Sequence, residues 1–438
     1  MLGLVTYFAL LLAVLAGTLW RPPVAIAGIL GLYGLKQWGQ STSGFLVEYR
    51  QLTNVAVTVI ALIGVAIAIR RRSELDWRPP RVLLPIVLLY GYAFVSVLWA
   101  PDPAVSLERW QLDGPYLGTV MLLPSLLVAD FDDLATGFGW TVFLGAMLCG
   151  LMLVFGHWGY RGLVLYGDVE QGETNPLAIA SLAGTVVLPA AIWLGTRTVP
   201  LKRALLAACI PLGVAIVLRS GSRGQLLALA PSILLAWPVA FRARSARSVV
   251  ALCGSALVIG ILAWWSSTWV QIDSSRWQSE VTASQLSGRL DMAATLLGAS
   301  SHSLLTVFFG LGNGSAFQVL GIYPHIAGLE VLGEEGILGF LLYLWALFLT
   351  VQSIVRLSRT LGGDPQRGAT LAIITALFAF ELILSWKQGS LLSSVYVFAY
   401  ALVIGRLERG YRPASSVDSR REAHSHGVPA MRFSNLLR

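Results

Sequence analysis

Runs of roughly 17 to 22 apolar residues recur along almost the whole chain, each long enough to cross a hydrocarbon core of about 30 Å as a helix. Lipid cannot satisfy backbone N–H and C=O groups, so such runs must close their hydrogen bonds internally. The expected fold class is therefore all-α: a polytopic membrane protein with about 12 to 13 transmembrane helices over residues 1–407. The spans fall at residues 3–20, 23–38, 52–70, 82–99, 114–129, 137–156, 174–195, 204–219, 224–241, 248–266, 337–356, 368–386 and 390–407. With 56% hydrophobic and only 12% charged residues among 438, a soluble fold is excluded. No cleavable signal peptide is expected, since the first apolar run lacks a basic leader and runs into Arg21-Pro22-Pro23.

Arginine and lysine set the orientation, because cytoplasmic loops hold the excess of positive charge. Arg70, Arg71, Arg72, Arg78 and Arg81 mark one such loop; Arg197, Lys202 and Arg203, then Arg242, Arg244 and Arg247, then Arg356, Arg359 and Arg367 mark others. Alternation from these anchors puts the loops at 100–113, 157–173, 220–223, 267–336 and 387–389 outside, together with the N-terminus. The formal charge of +8 thus follows topology, and no nucleic acid is expected as a partner. Cys149, Cys209 and Cys253 lie in apolar runs at no metal-ligand spacing and read as small buried hydrophobes. Residues 408–438 are polar and Arg-rich without a core pattern, as in a disordered cytoplasmic tail.

The segment 267–336 is the one long polar stretch between spans, and roughly seventy residues without structure would be out of place there. Ser287-Gly288 reads as a helix start, with Ser287 as N-cap and Arg289 in the first turn, where a bound anion would suit both the helix end and the guanidinium. Gly310-Leu311-Gly312-Asn313-Gly314 allows a tight turn back toward the bilayer. Trp264, Trp265, Trp269 and Trp277 crowd the start of the segment, as a headgroup belt or as rings that stack on sugars.

Chemistry-bearing residues concentrate on the outer side. Arg219 and Arg223 flank a short outer turn and break the charge bias of the other loops. With Arg289 they offer a guanidinium cluster matched to phosphate oxygens, and Lys387 adds a further cation. Of five histidines, His325 has the context of a general base, between Tyr323-Pro324 and a Gly-rich return to the bilayer. Tyr323 and Glu334 are supporting candidates. In one continuous helix Glu334 would face about 180° away from His325, and a carboxylate before a span also simply favours the helix N-terminus.

Several of these pieces stand in a recurring order: Ser96-Val97-Leu98-Trp99-Ala100-Pro101-Asp102-Pro103 with Ser106-Leu107, Ser222-Arg223-Gly224, Ser287-Gly288-Arg289, the glycine turn at 310–314, and His325 followed by Glu334, Gly336 and Gly339. Across residues 96–340 this set resembles the O-antigen ligase and O-antigen polymerase superfamily of bacterial envelope glycosyltransferases. The resemblance implies a GT-C-like bundle in the bacterial inner membrane, with its active site at the periplasmic face. It implies a donor glycan on undecaprenyl diphosphate and metal-independent, inverting transfer without a cofactor, to lipid A-core or to another lipid-linked glycan. By the same resemblance His325 accepts the proton of the acceptor hydroxyl, while Arg223 and Arg289 hold the diphosphate. Ile326 departs from the pattern, in which Asn often follows the histidine. A polysaccharide transporter or flippase is the rival from another class; it would place ionisable residues near the midplane in repeated halves, whereas here they cluster at one face and no repeat is visible.

Overall fold

The computed structural model describes residues 2–71, 78–159, 162–165, 175–195, 200–240, 279–322, 325–361 and 364–411. Helix α1 (Leu2–Trp20) leads through a 3₁₀ turn into α2 (Ala25–Leu30) and α3 (Leu32–Thr42), and the short α4 (Gly44–Glu48) turns the chain into α5 (Leu52–Arg71). Next come α6 (Leu83–Ser96), α7 (Pro103–Leu117), α8 (Leu123–Leu127) and α9 (Phe131–Phe155). A two-stranded antiparallel hairpin, Gly156–Gly159 with Gly162–Leu165, precedes α10 (Pro176–Leu194), α11 (Pro200–Arg219) and α12 (Arg223–Ala240). Beyond these lie α13 (Ser279–Ser300), α14 (Leu304–Phe309), α15 (Ser315–Leu320) and α16 (Ala327–Glu334), then α17 (Gly336–Thr360), α18 (Pro365–Gln388) and α19 (Val395–Gly410).

Among the described residues, seven helices are long and apolar enough to cross a membrane: α1, α5, α9, α10, α11, α17 and α18. The chain is a polytopic, helical membrane protein. The remaining expected spans are shorter or interrupted. The spans expected at 82–99 and 224–241 correspond to the shorter apolar helices α6 and α12. The run at 23–38 splits at Gly31, where an added Cβ would meet the Ala27 carbonyl at 2.8 Å and Leu144 at 2.9 Å. The span expected at 114–129 begins earlier, at Pro103, so most of the expected loop 100–113 is helix. Asp102 caps that start by accepting from the N–H groups of Ala104 and Val105, each at 3.2 Å, while Pro103 fills a position that needs no donor. Its continuation passes through a π-helical turn, Gly118–Leu122, into α8. The expected span 248–266, residues 412–438 of the tail and Tyr323 lie outside the described residues.

Helices α10 and α18 form the centre, buried along nearly all their length. Small residues let backbones approach, which is how helices associate when lipid is as apolar as leucine. Gly184 of α10 takes the ring of Phe380 from α18, and Gly213 of α11 takes Val187 of α10.

Charge sorts by end. At one end Arg71 donates to the Trp20 carbonyl at 2.8 Å, Arg356 pairs with Glu408 at 3.0 Å, and the Arg367 guanidinium lies 5.8 Å from the centre of the Tyr411 ring. The opposite end holds the N-termini of α5, α10 and α12, the C-terminus of α18 and the helices α13 to α16. Leu304 there is 79% exposed, and Gln366 is exposed at the basic end. In a background without the three native cysteines, a membrane-impermeant maleimide is expected to label Leu304→Cys in intact cells and Gln366→Cys only after permeabilisation. The opposite pattern would invert the orientation.

Candidate functional site

Gly310, Gly312 and Gly314 have φ of 77°, 94° and 88°, a left-handed region that disfavours a side chain. Their turn lays backbone on the C-terminus of α16: Leu311 N–H donates to the Gly333 carbonyl at 3.0 Å and Gly312 N–H to that of Glu334 at 2.8 Å. The buried Glu334 carboxylate accepts from Asn313 Nδ2 (3.1 Å) and Gly314 N–H (3.0 Å) on Oε2, and from Ala316 N–H (2.8 Å) on Oε1. Asn313 Nδ2 also donates to Glu335 Oε1 at 2.7 Å. Two more bonds tie this knot to the bundle: Asn313 N–H donates to Ser96 Oγ, and Trp110 Nε1 donates to Asn313 Oδ1, both at 2.9 Å.

Burial pushes the Glu334 carboxyl up to about 7 against the pull of the Gly314 and Ala316 N–H donors. Glu330 and Glu335 are held far above the usual carboxylate range by burial and by the neighbouring Glu334. The donors therefore assign the charge of the cluster to Glu334 and the protons to its neighbours. Glu334 anchors the turn, and it lies at the far end of α16 from His325, about 12 Å along the helix at 1.5 Å per residue.

Helix α13 starts at Ser279, so Ser287 is interior and not an N-cap, and Arg289 lies mid-helix with no helix end to offer it an anion site. The chain before it, Glu280-Val281-Thr282-Ala283-Ser284-Gln285-Leu286, carries the helix through, and an interior glycine such as Gly288 costs only about 1 kcal/mol relative to alanine. Four, seven and eleven residues after Arg289, the buried Ala293, Leu296 and Ser300 continue one face of the helix. Leu296 meets Gly333 of α16, where an added Cβ would lie 2.7 Å from its Cγ. Arg289 stands seven residues before Leu296 and His325 eight before Gly333, and the charge of Arg289 reaches His325. Burial, and then the charge of Arg289, lowers the His325 pKa below its ordinary value. His325 has φ of 59°, alone among the described non-glycine residues in that region. Such a conformation costs of order 1–3 kcal/mol and concentrates at functional sites.

Three residues on, Gly328 lies under the Trp386 ring, an added Cβ falling 2.6 Å from it. The next residue of α18, Lys387, packs its side chain against Gly224 of α12, where a Cβ would overlap it. Arg223 opens α12, and Arg219 lies exposed at the end of α11, across a turn made at Gly221 with φ of 67°. The sequence candidates thus form two groups at one end of the bundle, Arg289 with His325 and Lys387 with the start of α12, bridged by Trp386 on Gly328.

Beside them a cavity of 540 Å³ opens between α3, α5, α7, α10 and α18, lined by Lys36, Arg109, Asp113 and Glu381 among its charged groups. Its residues are scattered over the chain; the one signal in the sequence was Glu381, a lone carboxylate within an apolar run. Among the described residues no group of three or more His, Cys, Asp and Glu is arranged to hold a metal ion.

Substitution separates the glutamates. Glu335→Gln replaces a protonated carboxyl by a neutral isostere and is expected to change stability by less than about 1 kcal/mol. Glu334→Gln turns an amide donor toward N–H donors and should cost about 1–3 kcal/mol, read as a lower thermal midpoint in detergent. Equal midpoints would remove the charge assignment. In comparison with known proteins, the chain matches no family model and no curated protein.

Proposed function

We propose that this chain is a glycosyltransferase of the bacterial inner membrane that moves a glycan from undecaprenyl diphosphate to lipid A-core at the periplasmic face. The reading rests on the resemblance of residues 96–340 to O-antigen ligases and polymerases. The observation that carries it is the pairing of His325, its pKa lowered, with Arg289 at the end of the bundle that also holds Lys387 and the start of α12.

The chemistry follows from those groups. Neutral His325 accepts the proton of an acceptor hydroxyl as the oxygen attacks the anomeric carbon. The bond from that carbon to the diphosphate oxygen breaks with inversion, and its electron pair leaves on the diphosphate. Arg289, Arg223 and Lys387 are the cations that meet this charge, and guanidinium forks match phosphate oxygens two at a time. The start of α12 adds backbone N–H groups and the positive end of a helix dipole, with Gly224 leaving room for Lys387. Ile326 supplies no amide to orient the histidine, and here the left-handed backbone of His325 sets its direction. The fold of the donor region is GT-C-like in this reading.

The test is incubation of the purified protein with undecaprenyl-diphosphate glycan and either lipid A-core or a second lipid-linked glycan, the product telling ligase from polymerase. Arg223→Ala and Arg289→Ala should each abolish transfer while the protein remains inserted, and near-normal transfer by both would refute the diphosphate assignment. His325→Ala should lose about 10²–10⁴-fold, the usual contribution of a general base. The base must be deprotonated to act. Its lowered pKa therefore predicts a rate that rises with pH, with a midpoint below that of an ordinary histidine. A midpoint above the ordinary histidine value would contradict the role.

A further inference from the structure

The 540 Å³ cavity lies outside the roles assigned so far, and its lining is unlike that of a diphosphate site. Lys36 and Arg109 are offset by Asp113 and Glu381, so its formal charges cancel. Around them stand amides and hydroxyls such as Asn54, Gln388 and Ser181, together with the rings of Tyr33 and Tyr116, whose centroids are 5.8 Å apart. The cavity is also deep. Glu381 lies seven residues inward from Gln388 along α18, about 10 Å at 1.5 Å per residue, and Ser181 lies five residues into α10. A carboxylate at such a depth is costly, and such residues face a bundle interior with a task.

The cavity shares a wall with the elements of the proposed active site. On α18, Lys387 faces α12 while its neighbour Gln388 lines the cavity, and Gln225 Nε2 donates to Gln388 Oε1 at 3.1 Å across the divide. Arg109 lines the cavity and lies 5.9 Å from the centre of the Phe317 ring on α15. Gly389, Ser390 and Leu392 continue the wall, and the backbone of the intervening Leu391 meets Glu330 of α16, the helix that His325 precedes.

We propose that this cavity is the acceptor subsite, and that it takes a hydroxyl-rich saccharide. The proposal rests on the glycosyltransferase reading and adds the place of its second substrate. Each sugar hydroxyl both donates and accepts, which a lining of carboxylates, amides and hydroxyls satisfies and a purely cationic one does not. Tyrosine faces cover the apolar C–H surfaces of a sugar. The donor diphosphate lies on the Lys387 side of the wall, the acceptor on the Gln388 side, and α16 passes along that wall to His325.

Saturation-transfer NMR on the full-length protein in detergent tests this with two probes. One is core oligosaccharide cleaved from lipid A, the other a repeat-unit glycan released from its carrier lipid; whichever binds identifies the source of the acceptor. Asp113→Asn and Glu381→Gln keep side-chain volume and should each weaken binding of that probe about tenfold, the effect of losing one charged hydrogen bond. Ser181→Trp fills the cavity and should abolish it; a thermal melt separates this from misfolding. Undecaprenyl diphosphate should bind these variants as it binds the wild type. Binding of neither saccharide to the wild type, or equal binding to all variants, overturns the subsite. Wild-type protein that binds saccharide and undecaprenyl-diphosphate glycan yet yields no product would instead overturn the transferase reading and leave the saccharide site standing.

Discussion

The Glu334 carboxylate is the centre of the knot that, through Asn313, ties the outer helices to the bundle. Three N–H groups converge on it, two of them backbone, from a turn that only glycines permit. A buried charge is costly unless such donors surround it, and with one partner removed the cost falls on the rest. Asn313 carries the same knot to Ser96 and Trp110 on the bundle, so the C-terminal end of α16 is fixed to the membrane-embedded helices. Of the three buried glutamates Glu334 is the most acidic, so the charge of the cluster forms there first. With α16 fixed at one end, the residue at its other end, His325, is fixed as well.

Absent side chains set the remaining distances. Gly333 admits Leu296 and so sets α13 against α16, Gly328 admits Trp386, and Gly224 admits Lys387. Each glycine lies within a few residues of a chemical group or of its partner. A Cβ at Gly333 or Gly328 would push α16 away from α13 or from the end of α18, whereas one at Gly224 would displace the flexible Lys387 side chain. The site is thus built by close backbone approach between helices, with the polar side chains carried into place.

Much of this was legible in the chain. Apolar run length located the seven long helices, since a membrane span is a property of consecutive residues. Asp102, Asp130, Asn175 and Asp364 mark helix starts that their side chains do cap, and Asp102 could have moved the start of α7 out of the expected loop. Ser287-Gly288 misled, because a capping residue and a glycine inside a sustained helix look the same as those at its start. The knot was invisible. Asn313, Glu334, Ser96 and Trp110 are brought together by tertiary packing, and no local pattern encodes which carboxylate a turn will choose. The cavity was hidden for the same reason, its polar residues coming from helices far apart in the chain. His325 was found by its neighbours in sequence, but its left-handed backbone follows from the packing around it.

The last turn of α18 separates the cations Lys387 and Arg223 from a cavity whose formal charges cancel, a division suited to the proposed joining of a lipid diphosphate to a polar alcohol. The claim on which the rest depends is that the cationic compartment grips a prenyl diphosphate beside His325. Cryo-electron microscopy of the purified protein with undecaprenyl diphosphate bound tests it most directly. Phosphate density is expected in contact with Arg289, Lys387 and the start of α12, with His325 beside the outer phosphate. Density for the lipid diphosphate at any other face of the bundle, with that compartment vacant, would contradict it.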